Sequence, residues 1–256
     1  MTQAERQFWE QYWEGPQVTV TAVTMSQILD RIKLDYLKAI LPKGGRSLEV
    51  GCGSGRLSCW LAQAGFQTTC LDFSRNALTS ARANYRNAQV SGAFIAAQGT
   101  ELPLRDGSQD IVLSTGLLEH FPDPRPIVRE MVRVLKPGGL FYSDIVPRKF
   151  SLFRSLDWIG RIRRALSSCR REEFYERSFT GEEIRVMLLD SGLSRVDVFP
   201  AGVVPPYVPI ISRSERLRGA QVRAVERTQR WWRACDRTWV ADWLGFYYFA
   251  SAVKDS

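Results

Sequence analysis

The chain has 256 residues, 45% of them hydrophobic, which is enough to bury a core in one large domain, with or without an appended lid, and excludes a disordered chain. Its formal charge is +8, from 35 Lys and Arg against 27 Asp and Glu, a balance that favours anionic surfaces or substrates. Five cysteines with no Cys-x-x-Cys pair argue against a disulfide framework or a zinc site and fit a reducing cytoplasm, while an acidic N-terminus and the lack of a long apolar run argue against a signal peptide or a membrane span.

Residues Thr2 to Glu14 carry Phe8, Trp9, Tyr12 and Trp13 at helical spacing and stop at Gly15-Pro16. Such a stripe usually packs into a core. Ser26 to Leu41 forms a second amphipathic helix, with Ile28, Leu29, Ile32, Leu37 and Ile40 as its apolar set, and feeds a strand that begins at Arg46. That strand breaks into Glu49-Val50-Gly51-Cys52-Gly53-Ser54-Gly55 and then into a helical pattern from Arg56. Strand, glycine turn and helix start together form the crevice where nucleotide-like ligands lie in α/β proteins, beyond the carboxyl ends of parallel strands. A dinucleotide site would want a glycine where Arg56 stands.

Phe66 to Asp72 reads as the second strand, ending in an acid about 20 residues beyond the first glycine, the offset at which a carboxylate reaches ribose hydroxyls. Asp72 can also be read as a turn residue before the helix from Ser74 to Asn87, with Ser74 as its N-cap. Gly92 to Ala97 is a third strand and Asp110 to Ser114 a fourth, after the turn Asp106-Gly107-Ser108. Pro124 to Lys136 reads as a helix that ends at Gly138-Gly139, and Leu140 to Val146 as the fifth strand. Ser178 to Leu189 is a further helix, and Val196 to Phe199 and Gly245 to Val253 are the last two strands, the final one antiparallel. The class is α/β: seven strands, mostly parallel, with helices on both faces.

Two stretches interrupt the alternation. Ser151 to Ser168 sets Leu152, Leu156, Ile159, Ile162 and Leu166 against four arginines, and Arg213 to Trp239 sets Leu217, Ala224, Trp231, Cys235 and Trp239 against eight. Each reads either as a lid helix with solvated arginines or as a basic face for a membrane interface or an acidic partner. Without a base-stacking motif, no nucleic-acid partner is expected.

The order of Glu49 to Gly55, Asp72, Leu102-Pro103, Asp106-Gly107-Ser108, Leu118-Glu119-His120 and Arg133 to Gly139 resembles the Rossmann-like, class I S-adenosylmethionine-dependent methyltransferases, in the branch of the ubiquinone and menaquinone methylases. The likeness is close over Arg46 to Ile145 and loose over Ser178 to Lys254. It implies S-adenosylmethionine as cofactor and a small-molecule or lipid-like acceptor, methylated at oxygen, carbon or nitrogen. It also implies a single domain, with N-terminal helices over residues 1–45, whose aromatic stripe can fold over the cofactor and close the pocket instead of packing on the sheet, a cofactor core over 46–146 and helical lids over 147–177 and 200–244. Carried over residue by residue, Glu49, Gly51, Cys52, Gly53 and Gly55 hold the methionine end, Asp72 the ribose, Gln98 and Gly99 the adenine edge, and Thr115 the methionine side, with Phe73 on the adenine face. Many relatives carry an aspartate where Gln98 stands, so the bond to the adenine here is neutral and weaker.

Methyl transfer is an in-line displacement, so holding donor and acceptor close and dry matters more than a strong catalytic group. His120, the single histidine, follows the fourth strand and reads as a base or as a residue that orients the pocket wall; Glu119 reads as structural. With one histidine, a catalytic metal site is not expected. The resemblance fits a cytoplasmic enzyme, with peripheral membrane attachment, as in a quinone or isoprenoid methylase, or a non-catalytic binding role as alternatives.

Overall fold

The computed structural model describes residues 3–14, 25–145, 177–203 and 215–255. Two helices, α1 (Gln3–Tyr12) and α2 (Met25–Lys38), precede β1 (Arg46–Val50), α3 (Arg56–Gln63), β2 (Gln67–Asp72), α4 (Arg75–Asn87), β3 (Ala93–Ala96) and β4 (Gln109–Thr115). After a 3-10 turn at Leu118–His120 come α5 (Arg125–Val134), β5 (Leu135–Ile145), α6 (Gly181–Asp190), β6 (Leu193–Ala201), α7 (Glu215–Arg233), α8 (Trp239–Leu244) and β7 (Tyr247–Lys254).

The strands form one sheet in the order β3-β2-β1-β4-β5-β7-β6. The first five are parallel, and β7 runs antiparallel between β5 and β6. Strand alternation sorts the core onto two faces. Leu48, Val50, Val112 and Phe141 pack with Ile127, Met131, Ile184 and Leu188 of α5 and α6. Ile111, Leu113, Tyr142 and Phe249 pack on the other face with Ile32, Leu37 and Leu61 of α2 and α3. With the strand order reversing at β1 and β4, the loops after β1, β2 and β4 converge at one carboxyl edge, where a ligand crevice belongs.

Several boundaries differ from the sequence reading. The helix expected to reach Lys136 stops at Val134, because Pro137 drives the residue before it out of the helical region and Leu135 already pairs with Gln109 of β4. The helix expected from Ser178 starts at Gly181, where Thr180 and Glu183 form a reciprocal capping box. The largest correction concerns the single helix expected from Arg213 to Trp239. It ends at Arg233, because Asp236 turns inward, Arg237 takes a left-handed φ of 64°, and Thr238 caps α8. Its expected apolar face points largely outward: Ala224, Trp231 and Trp239 are exposed and Cys235 is half-buried, while Val225 is buried. The basic helix expected over Ser151 to Ser168 lies outside the described residues. Among the described residues, no helix is long and apolar enough to cross a membrane.

Candidate functional site

The loop after β1 holds Gly51 and Gly53 at φ 66° and 51°, a region that costs a side-chain-bearing residue about 1–2 kcal/mol. Their missing side chains matter as much as their angles. A Cβ on Gly51 would meet Leu117 at 2.5 Å and one on Gly53 would meet the Trp13 ring at 2.5 Å, so the loop is flanked by the β4 loop on one side and by the segment just after α1 on the other. Gly55 ends the loop as the left-handed N-cap of α3. Cys52 donates its backbone N–H to Leu71, while its thiol turns inward to a buried cluster with Cys59, Cys70, Leu78 and Tyr85, so only its backbone belongs to the loop surface.

Two buried carboxylates frame this loop. Glu49, on the penultimate position of β1, accepts the Ser58 N–H at 3.1 Å. Burial pushes it up to about 7, against the opposing pull of that bond and of the Lys33 and Arg56 charges. Asp72, at the end of β2, accepts the Gly53 N–H on one oxygen and the Ser74 N–H on the other, both at 2.9 Å. Burial also raises the Asp72 carboxyl above the usual range despite these two bonds. Its position is set by the register of β1 with β2 and by Ser74, which caps α4 through Ala77.

The remaining expected residues line the same edge. Ala97 donates to the Asp72 carbonyl, which places the exposed Gln98 just beyond the end of β2. Gly99 faces Val50 and Ile127, where a Cβ would crowd the core at 3.1 Å. Phe73 is half-buried next to Asp72, and Thr115 closes β4, paired with Asp144. His120 is half-buried in the 3-10 turn, with its ring 4.8 Å from Trp9. Chain returning at Arg177 is pinned to this turn by bonds from the Arg177 N–H to Glu119 and from its guanidinium to Pro122.

Three features of the site go beyond the motifs, the first of them being the second of the two readings of the N-terminal aromatic stripe. First, α1 does not lie on a sheet face: it bridges the crevice, with Trp13 against Gly53 and Trp9 against His120. Second, Glu10 fastens it. Its carboxylate accepts from Ser74 Oγ at 2.8 Å, Arg75 N at 3.1 Å and Asn76 N at 3.3 Å, and Asn76 Nδ2 donates to the Glu10 carbonyl at 3.0 Å. Burial works against the Glu10 charge, but the bonds from Ser74, Arg75 and Asn76 outweigh it and lower its pKa. Third, Lys33 of α2 reaches Asp144 of β5 at 2.9 Å, both side chains buried, with the ammonium 4.4 Å from the Tyr247 ring centroid. Burial opposes the Lys33 charge, yet Asp144 leads a set of neighbours that hold it above the ordinary ammonium value. An acid inside the apolar run Leu140 to Ile145 was the one sequence signal for this pair.

Arg56, next to the loop in sequence, turns away to Asp30 of α2 at 2.8 Å. Among the described residues, the groups around the loop are carboxylates, backbone and aromatic rings, with the Gln98 amide and the Thr115 hydroxyl farther along the edge. A depression lined by Arg46, Gln67, Thr69 and Gly92 opens at the amino ends of the strands, away from this edge.

Residues 48–143 match the family model described as a methyltransferase domain. A ubiquinone biosynthesis O-methyltransferase of Xanthomonas oryzae pv. oryzae is 36% identical over 148 residues, 55% of this chain and 59% of the relative, so the match spans less than two thirds of that relative's length. Another protein of that name, from Xanthomonas axonopodis pv. citri, is 31% identical over 191 residues, 73% of this chain and 77% of its own. Among solved structures, a Haemonchus contortus phosphoethanolamine N-methyltransferase in complex with phosphomonomethylethanolamine and S-adenosylhomocysteine superposes with a TM-score of 0.57. It is 20% identical, and the match covers 88% of this chain and 53% of that one, a likeness of fold.

Proposed function

The chain belongs to the class I S-adenosylmethionine-dependent methyltransferases, and from that premise we propose that it moves a methyl group from S-adenosylmethionine to an oxygen of a small-molecule or lipid-like acceptor. One observation carries the reading: Glu49, the Gly51 to Gly55 loop and Asp72 converge at the carboxyl edge as a set of acceptors, with the neighbouring cation, Arg56, drawn off to Asp30. That set suits a ligand with ribose hydroxyls and a cationic amino-acid end, and it repels a diphosphate. The proposed cofactor fits the residues present.

Bound there, the cofactor supplies a sulfonium methyl for in-line displacement by an entering nucleophile. Glu49 and the glycine loop would hold its charged end, Asp72 would take the ribose hydroxyls, Gln98, Gly99 and Phe73 would serve the adenine, and Thr115 the methionine side. Trp13 covers the loop and keeps water out. His120, walled by Trp9, is the group placed to take a proton from an acceptor hydroxyl as the oxygen–carbon bond forms. The names of the relatives favour oxygen over carbon or nitrogen. A lipid-like acceptor also favours peripheral attachment to a membrane.

Isothermal titration with S-adenosylmethionine and S-adenosylhomocysteine tests the cofactor site. Both bind the wild-type protein, and Asp72→Ala weakens both by about a hundredfold, the loss expected for two charge-assisted hydrogen bonds. Absence of binding at millimolar ligand, or unchanged affinity in the variant, overturns the assignment.

A further inference from the structure

The reversed face of α7 is the most conspicuous feature that the site does not use. Arg223, Arg227, Arg230 and Trp231 lie within one stripe of exposed positions at spacings of four, three and one, while Val225 is buried on the far side. Of two adjacent tryptophans, Trp232 is half-buried and donates its indole N–H to Thr228 at 3.1 Å, whereas Trp231 is 79% exposed. After the turn, Trp239 and Trp243, 75% and 59% exposed, share a face of α8 opposite the buried Ala241.

This exposure is held in place. Asp236, buried between the two helices, accepts from Gly202 N at 3.0 Å, Val203 N at 3.3 Å and Tyr36 Oη at 2.7 Å. Next to it, Arg237 makes a two-pronged bond to Asp197 and stacks 3.5 Å over the Phe199 ring centroid. A corner anchored at five points presents its tryptophans by construction. The arginines divide in the same way. Arg233 and Arg237 pair with Asp35 and Asp197, and Glu226 is taken by Arg31, whereas Arg223, Arg227 and Arg230 have no ion pair or side-chain hydrogen bond among the described residues.

Unpartnered guanidinium groups beside outward tryptophans match the chemistry of an anionic bilayer surface. Indole rings settle at the headgroup level, and each arginine near the surface adds an electrostatic contribution. A soluble acidic protein would satisfy the arginines but leave no reason for three indoles on successive turns. We propose that the α7–α8 corner docks the protein on anionic lipid, with Trp231, Trp239 and Trp243 inserted among headgroups and Arg223, Arg227 and Arg230 over lipid phosphates. The proposal deepens the peripheral-membrane reading above and rests on it. Net charge +8 acts in the same direction.

The test is flotation of the full chain with vesicles of phosphatidylcholine alone and with about 30 mol% phosphatidylglycerol, alongside S-adenosylhomocysteine titration in solution. The wild-type protein floats with anionic vesicles, its tryptophan emission shifts to the blue, and binding weakens with salt. Charge reversal at Arg223, Arg227 and Arg230 lowers vesicle affinity by at least about a hundredfold, from roughly fivefold per arginine. Trp231→Ala, Trp239→Ala and Trp243→Ala together abolish the blue shift. Both variants keep the wild-type affinity for S-adenosylhomocysteine, which shows that they are folded and separates failure of docking from failure of the cofactor site. Three results overturn the proposal: no flotation with anionic vesicles, flotation that both variants retain, or retention on poly-glutamate without vesicle binding, which assigns the face to an acidic protein.

Discussion

Replacing Glu10 with alanine isolates what α1 does. The carboxylate satisfies Ser74 Oγ and the backbone N–H groups of Arg75 and Asn76 at the start of α4, where helix donors lack partners within the helix. Hydrogen bonds to a charged group contribute about 1.5–3 kcal/mol each when buried. These are partly solvated and water replaces them at once, so about 1–2 kcal/mol for the set is the appropriate scale. A ten-residue helix has little stability of its own, and this latch and the Trp9 and Trp13 rings are among the contacts that hold α1 to the crevice. The loss therefore falls on docking of α1 rather than on global folding. In stopped-flow displacement of S-adenosylhomocysteine, Glu10→Ala accelerates release by about tenfold, since 1.4 kcal/mol is a factor of ten, while Tm hardly moves. Because the Glu10 pKa is lowered in the folded protein, its docking contribution is present above the unfolded value of 4.5 and is lost as pH falls through the folded one. Release from the wild-type protein thus quickens in acid more than release from the variant, in which the protonation of Glu49 still acts. An unchanged release rate in Glu10→Ala, or a Tm loss as large as that of a core variant, refutes the latch.

Lys33→Met strands Asp144 in the core without its counter-charge and lowers stability by about 3–5 kcal/mol in urea titration, whereas Lys33→Met combined with Asp144→Leu recovers most of the loss. Glu49, at about 7 in the folded protein against a reference of 4.5, binds more protons folded than unfolded between those values. Its contribution to stability is therefore greatest below about 4.5 and is lost as pH rises through 7; Glu49→Gln flattens that slope in thermal scans from pH 5 to 8. A cationic ligand at the loop favours ionised Glu49, so binding at pH 6.5 releases about 0.8 proton from the wild-type protein and almost none from Glu49→Gln, read by calorimetry in buffers of different ionisation heat. Gly53→Ala forces both a left-handed alanine and a clash with Trp13, and is expected to cost about 1–2 kcal/mol and to expose α1 to limited proteolysis.

The geometry of the candidate edge was legible because each part of it is a local pattern. The acid at the end of a strand, the glycines at left-handed angles and the Ser74 cap are fixed by neighbours a few residues away, so Glu49, Gly51 to Gly55 and Asp72 fell into place with their strands. The parts that escaped are held by partners far along the chain: Glu10 meets Ser74 at a separation of 64 residues and Tyr36 meets Asp236 at 200. No periodicity carries such pairs. The misread helix from Arg213 to Trp239 shows the same limit from the other side. Its hydrophobic spacing was real, but spacing says which residues share a face and not which way the face points. The direction was decided by Asp236, whose three bonds, two of them buried, pull the turn inward and leave Trp231 and Trp239 outside. An apolar stripe becomes core only when something lies beneath it. Where a buried polar anchor rotates it outward, the same stripe is a surface that calls for a partner.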